Sequence, residues 1–263
     1  VSDAGVGEIP SMDNRKDEIG GLAKSVRRMT GALQDRVKSV EAFAADVAHE
    51  LKNPLTSLQS AIETLQISNE EAERKQLTKI AFKDLKRLDR LISDIASSSR
   101  LEVELAKGEF EEIDIRDVLE SVVEVTRTNI SKKLDINVRL NIPKNEINVL
   151  GIGDRIAQVF YNLVDNALSF SKSGSSIEIN AWTTKKEAII EVKDQGPGIP
   201  KENLGRIFER FYTYRPEEKS FGNNSGLGLS ICKQIIKSLN GTIIATNRVE
   251  GGATFTIMLP LQN

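Results

Sequence analysis

A chain of 263 residues, 39% apolar and 28% charged, is long enough for two modest domains with packed cores. Its formal net charge of −2, with no Lys/Arg block or basic arm, argues against a nucleic-acid partner. The single cysteine, Cys232, has no internal disulfide partner and fits a reducing compartment, and no stretch approaches the roughly 18 apolar residues of a membrane span.

The chain opens at Val1 without a methionine or a signal peptide, in a polar stretch, and is expected to be a piece of something longer. Residues 17–33 predict a short amphipathic helix, and residues 34–65 a long one. A break follows at Ile67, Ser68 and Asn69, with Ser68 or Asn69 as N-cap of a second long helix over residues 70–101. One apolar seam reads Ala44, Val47, Leu51, Leu55, Leu58, Ile62, Leu65, and the other Leu77, Ala81, Leu85, Leu88, Ile92, Ile95. Steps of three and four are coiled-coil spacing, and two helices joined by a short turn form an antiparallel hairpin. Two helices alone bury such seams poorly, so a dimeric four-helix bundle is expected.

The chain has one histidine, His49. At about 100° per residue, it lies roughly 160° from the seam centre at Leu51 and projects into water. Asp46, Asn53 and Thr56 share that outer face, and Glu50 is adjacent. Pro54 withdraws the donor that would pair with the Glu50 carbonyl, loosening the helix just after the histidine. An exposed, largely neutral imidazole is a competent nucleophile, and a neighbouring carboxylate can take its proton. On their own, Glu50 and Asn53 read equally well as a solvated helix face.

The stretch FAADVAHELKNPLTSL (43–58) resembles the H box of HisKA-type sensor histidine kinases. The resemblance implies that His49 is the phosphoacceptor, Glu50 the acid/base, and Asn53 the residue serving phosphatase activity toward a partner. The earlier DEIGGLAKSV resembles the second helix of a HAMP linker.

A boundary is expected near residues 106–108, where Gly108 can end the helix and the texture turns β-rich. Strands are predicted at 177–182, 188–192 and 254–259, with helices between. Asn162 and Asn166, four apart, share one helix face, and their amides suit a hard cation and phosphate oxygens. Asp194 ends a strand, and Gly196 and Gly198 open a tight loop where a carboxylate can accept from an adenine amino group. Phe208 and Phe211 stand at helical spacing and read as core. Gly226 and Gly228 feed a helix over 229–239, whose free backbone donors make an anion site.

Taken singly, each cluster is weak; their order resembles the Bergerat ATP-binding fold of the GHKL superfamily. That implies an α/β (α+β) two-layer sandwich binding ATP and magnesium. Asn162, Asn166, Asp194, Gly196, Gly198, Gly226 and Gly228 are then the binding residues, Asn166 the metal ligand, and 213–225 a lid. No Walker-type GxxxxGK[ST] occurs. Ser169 stands where many relatives have Lys or Arg, which leaves Lys172 or Arg215 to contact phosphate. DNALSFS, FYTYRPEE and FGNNSGLGLSI together resemble the ChvG/ExoS-type sensor kinases of alphaproteobacteria.

The expected domains are 1–36, the second half of a HAMP linker; 37–104, a dimerisation and phosphotransfer hairpin; and 105–263, the ATP-binding sandwich. The resemblance implies a homodimer that phosphorylates His49 and passes the group to a response regulator. It also implies a cytoplasmic position, with membrane anchoring by segments outside this chain. The alternatives are a GHKL-type ATPase without phosphotransfer and a silent nucleotide-binding scaffold.

Overall fold

In the computed structural model the described residues are 17–107, 110–130, 136–213 and 225–262. The chain forms two compact units, one ending at Ser60 and one running Ala61–Asn263.

Asp17 starts the first helix: its Oδ1 accepts from the Gly20 N–H at 3.1 Å, as an N-cap does. The helix, α1, then runs unbroken over Glu18–Ile67, so the two helices expected at 17–33 and 34–65 are one. Gly21 and Gly31 do not interrupt it, because an interior glycine costs only about 1 kcal/mol, and neither takes the positive φ that would end a helix. Pro54 is likewise carried inside the helix. Ile19, Leu22, Val26, Met29, Leu33, Val37 and Val40 recur at steps of three and four and are all exposed. That stripe is a coiled-coil seam open to a second helix.

The expected break after α1 is present, but Ser68 does not cap the next helix: its hydroxyl donates to the Glu73 carboxylate at 2.5 Å. Instead the Glu70 carbonyl accepts the first bond, from the Arg74 N–H. Arg74 also turns back, donating to the carbonyls of Leu65 and Ser68 at 2.8 and 3.2 Å. It thereby satisfies carbonyls that the end of α1 leaves without helical partners. The second helix, α2, covers Glu71–Lys107.

The sandwich begins with β1 (Glu111–Asp114), α3 (Ile115–Ile130), β2 (Asn137–Asn141), β3 (Asn148–Gly151) and α4 (Gly153–Phe170). It continues with β4 (Ser176–Thr183), β5 (Glu187–Lys193), a short 3₁₀ turn (Lys201–Asn203), α5 (Gly228–Ser238), β6 (Thr242–Asn247) and β7 (Ala253–Pro260). β1 and β3 pair apart from the main sheet, whose order is β2-β4-β5-β7-β6, with β2 and β4 parallel and the other pairs antiparallel. Period-two alternation sends one side of each strand inward. Ile179, Val192 and Phe255 stand in one cross-strand row, and Ala181, Ile190, Ile257 and Ile243 in the next. These rows belong to the same core as Leu119 of α3, Phe160 and Leu163 of α4, and Ile231 and Ile235 of α5. Among the described residues no helix covers the opposite sheet face; Trp182, Ile189 and Met258 align there, and Trp182 is exposed.

α2 is anchored to this layer. Leu101 is fully buried in the common core. Glu104 pairs with Arg155 of α4 at 2.7 Å, and the Ser97 hydroxyl accepts from Gln158 at 3.2 Å. The expected phenylalanine helix is absent: residues 204–211 are turns, and Phe211 takes φ 60°. Phe208 is core as anticipated, packed edge-on against Phe255 at 6.4 Å.

The alternation makes adjacent residues energetically unlike. Ile190 is fully buried, whereas Ile189 lies on the open face. Ile190→Ala should lose about 2–5 kcal/mol in denaturant unfolding, and Ile189→Ala well under half as much. Equal losses would mean that both faces of the sheet are packed.

Candidate functional site

Within the second unit, a cavity of about 500 Å³ lies among α2, α3, α4, the β5 and β7 ends, and the start of α5. Asp194, just past β5, is only 5% exposed. Its Oδ1 accepts from the Gly196 N–H at 2.8 Å and the Ala253 N–H at 3.2 Å. Both bonds fall on one oxygen, so the acceptor capacity of Oδ2 remains for a ligand. Burial pushes the carboxyl above its ordinary 3.8, offset in part by the N–H groups of Gly196 and Ala253 and by Arg248.

The backbone around this carboxylate leaves no room for side chains. Gly252 sits at φ 94°, and a Cβ there would run into the Asp194 carbonyl oxygen. Gly198, at φ 77°, lines the cavity and lies against Asn247. Asn247 clamps the loop by accepting from the Ile199 N–H at 2.7 Å and donating to its carbonyl at 2.5 Å. Arg248 donates to the Asp194 carbonyl at 3.1 Å. Sequence reasoning missed both Asn247 and Arg248; their only signal is their place between the last two strands, just before a Gly-Gly turn.

Asn162 and Asn166 both line the cavity from α4, as expected from their spacing. The Asn162 amide donates to the Gly228 carbonyl at 3.3 Å and ties α4 to the start of α5. Gly226 and Gly228 also line the cavity. Gly226 has φ 75°, and a Cβ there would meet the Phe211 backbone at 2.7 Å. Among the described residues no side chain caps α5, whose start lies at the cavity edge. Gly196 does not line the cavity; it acts behind Asp194 through its N–H. Ser169 turns its hydroxyl to the Asn166 carbonyl at 2.9 Å. Lys172 is exposed and outside the cavity lining, while Arg215 and most of the expected lid lie outside the described residues. Wall residues that the sequence reading did not single out include Arg90 and Asp94 of α2, Thr126 of α3, and Asp165.

In the first unit, His49 is exposed on α1 together with Asp46, Asn53 and Thr56, and Glu50 is half-buried beside it. Cys232 is fully buried, and its thiol is pushed up to about 12 by that burial.

Two family models match the chain. "His Kinase A (phospho-acceptor) domain" covers residues 39–104, and "Histidine kinase-, DNA gyrase B-, and HSP90-like ATPase" covers residues 151–263. Sensor protein ChvG of Agrobacterium fabrum is 45% identical over 96% of this chain and 44% of its own length. The chain thus spans less than half of that curated relative. The catalytic domain of histidine kinase ThkA is 30% identical over 58% of this chain and 97% of its own, with a TM-score of 0.52. ThkA solved in complex with the response regulator TrrA is 27% identical over 87% of this chain and 64% of its own, with a TM-score of 0.68.

A raised carboxyl pKa has a definite sign. The unfolded chain releases the Asp194 proton near 3.8 and the folded chain only at higher pH. The contribution is therefore fully present below 3.8 and is lost as pH rises through the folded value. Asp194→Asn keeps an oxygen for both backbone donors without that charge. It should fold as stably as the parent at pH 7 or more so, and lack this fall in stability above pH 3.8 in urea titrations. A variant clearly less stable at pH 7 would contradict the assignment.

Proposed function

The chain belongs to the histidine kinases, with a phospho-acceptor domain followed by an ATPase domain, and on that footing we propose that it moves the γ-phosphoryl group of ATP to His49 and then to an aspartate of a response regulator. The observation that carries this reading is the chain's only histidine, set exposed on a long helix of the phospho-acceptor domain. The Asp194 cavity in the ATPase domain supports it. The Asp194 carboxylate accepts from the adenine amino group, and the open start of α5 meets phosphate oxygens. Amide oxygens of Asn162 and Asn166 and the carboxylates of Asp94 and Asp165 line one cavity, a hard-oxygen donor set that suits magnesium, with Asn166 as the expected ligand. When bound, that ion neutralises charge on the phosphates.

In the first step an imidazole nitrogen of His49 attacks the γ-phosphorus. The bond to the bridging oxygen breaks with its electron pair on ADP, and Glu50 takes the ring proton. In the second step a regulator carboxylate displaces the imidazole from phosphorus. ThkA has been solved with a response regulator, which supports a partner of that kind. Asn53, exposed one turn beyond His49, orients a water for the reverse task of dephosphorylating the regulator. The exposed apolar stripe of α1 supports a homodimer. We place the chain on the cytoplasmic side of the inner membrane, with anchoring and sensing segments outside it. No helix among the described residues is long and apolar enough to cross a membrane.

Incubation with γ-labelled ATP should put acid-labile label on the wild-type chain and none on His49→Gln, which should still fold and bind nucleotide. Label released only as free phosphate would favour a plain ATPase, and acid-stable label would remove His49 from its role.

The two activities should separate. Asn53→Ala should lose most dephosphorylation of a pre-labelled regulator while keeping substantial autophosphorylation. Glu50→Ala should lose autophosphorylation by about 10²–10⁴-fold, the usual range for a lost general base. If both variants fall equally in both assays, the division of labour between the two residues is wrong.

A further inference from the structure

We propose that Arg90, on the helix of the phospho-acceptor domain, is the basic ligand of the nucleotide's phosphates. The inference rests on the ATP-binding reading of the cavity. Among the described lining residues Arg90 is the one lysine or arginine, set against three aspartates, Asp94, Asp165 and Asp194. A polyanionic ligand entering such a wall needs cationic partners; of the two positions favoured by sequence, Lys172 is not in the wall and Arg215 lies outside the described residues. Ser169 turns its hydroxyl to the Asn166 carbonyl.

Arg90 is held where the role requires it. Seven residues further along α2, Ser97 bonds Gln158, and beyond it Leu101 is buried in the core and Glu104 pairs with Arg155. The Arg90 guanidinium stands 4.0 Å from the Asp165 carboxylate, with side chains 46% and 68% exposed. A pair that long and that solvated is weak, and it is not the only interaction Arg90 makes: its charge also acts on Asp94. Phosphate oxygens, accepting from the planar guanidinium through two parallel bonds, offer it a stronger pairing than the Asp165 carboxylate does. Asp165 directly precedes Asn166, the expected magnesium ligand, so the exchange occurs beside the site where phosphate charge is neutralised. One consequence is that phosphate binding draws on α2 itself, through a residue outside the stretch matched by the ATPase model.

Calorimetric titrations with ATP and with adenosine, magnesium present, test this on wild type, Arg90→Ala, Arg90→Lys and Asp194→Asn. Arg90→Ala should weaken ATP about 10- to 100-fold, the range for a lost hydrogen bond to a charged group. It should leave adenosine within about twofold, and Arg90→Lys should recover part of the ATP affinity. Unchanged ATP affinity in Arg90→Ala would overturn the proposal, and so would an equal loss for ATP and adenosine, which would make Arg90 purely structural. If wild type binds neither ligand, or if Asp194→Asn binds both as wild type does, the ATP reading of the cavity fails instead.

Discussion

Asp194 ties the sheet, the loops and the cavity together. Its N–H donates to the Ala253 carbonyl, its side chain accepts from the Ala253 N–H, and its carbonyl accepts from Arg248. One residue thus closes the end of the β5–β7 ladder and presents a carboxylate to the cavity. The main chain from β7 must pass so close that only glycine fits at position 252. A buried carboxylate is costly to charge, and here the backbone N–H groups that lower the cost also fix its orientation. Positioning and partial compensation are the same bonds, so a change to the turn at Gly251 and Gly252 is a change to the setting of the Asp194 carboxylate.

The second organising feature is the continuity of α2. Its match to the phospho-acceptor model ends at residue 104, yet its packing belongs with the sheet, in the unit that begins at Ala61. Leu101, Glu104 and Ser97 each contact the α/β layer. Asp94 lines the cavity and bonds Ser225, and burial raises its carboxyl above the ordinary value. The helix that follows the His49 helix is therefore also a wall of the cavity.

Much of the fold was legible because its signals are local. Alternation in SIEINAWT and EAIIEVK marked β4 and β5, and the Asn162/Asn166 spacing put both amides on one helix face. Short strands β1, β2, β3 and β6 escaped notice, since four to six residues carry too little periodicity and their stability comes from neighbours. The unbroken α1 was read as two helices parting near residue 33, yet nothing there, Gly31 included, supplies the left-handed cap that ends a helix. The phenylalanine pair looked helical by spacing, yet close approach of Gly226 to the Phe211 backbone accompanies a φ of 60° there.

By itself, the sequence determined where the candidate groups stand: an exposed histidine opposite an apolar seam, two amides one turn apart, a carboxylate at a strand end, and glycines before a helix. Each of these depends on spacing along one element, which the helix and strand periods set. Only the tertiary structure decided which groups share the cavity. Arg90 reaches Asp165 across 75 positions of chain, Asp94 reaches Ser225, and Arg248 reaches Asp194. Such pairings leave no periodic trace, because they arise where separate elements are brought together by burial of Leu101, Phe160 and Phe255 in a common core.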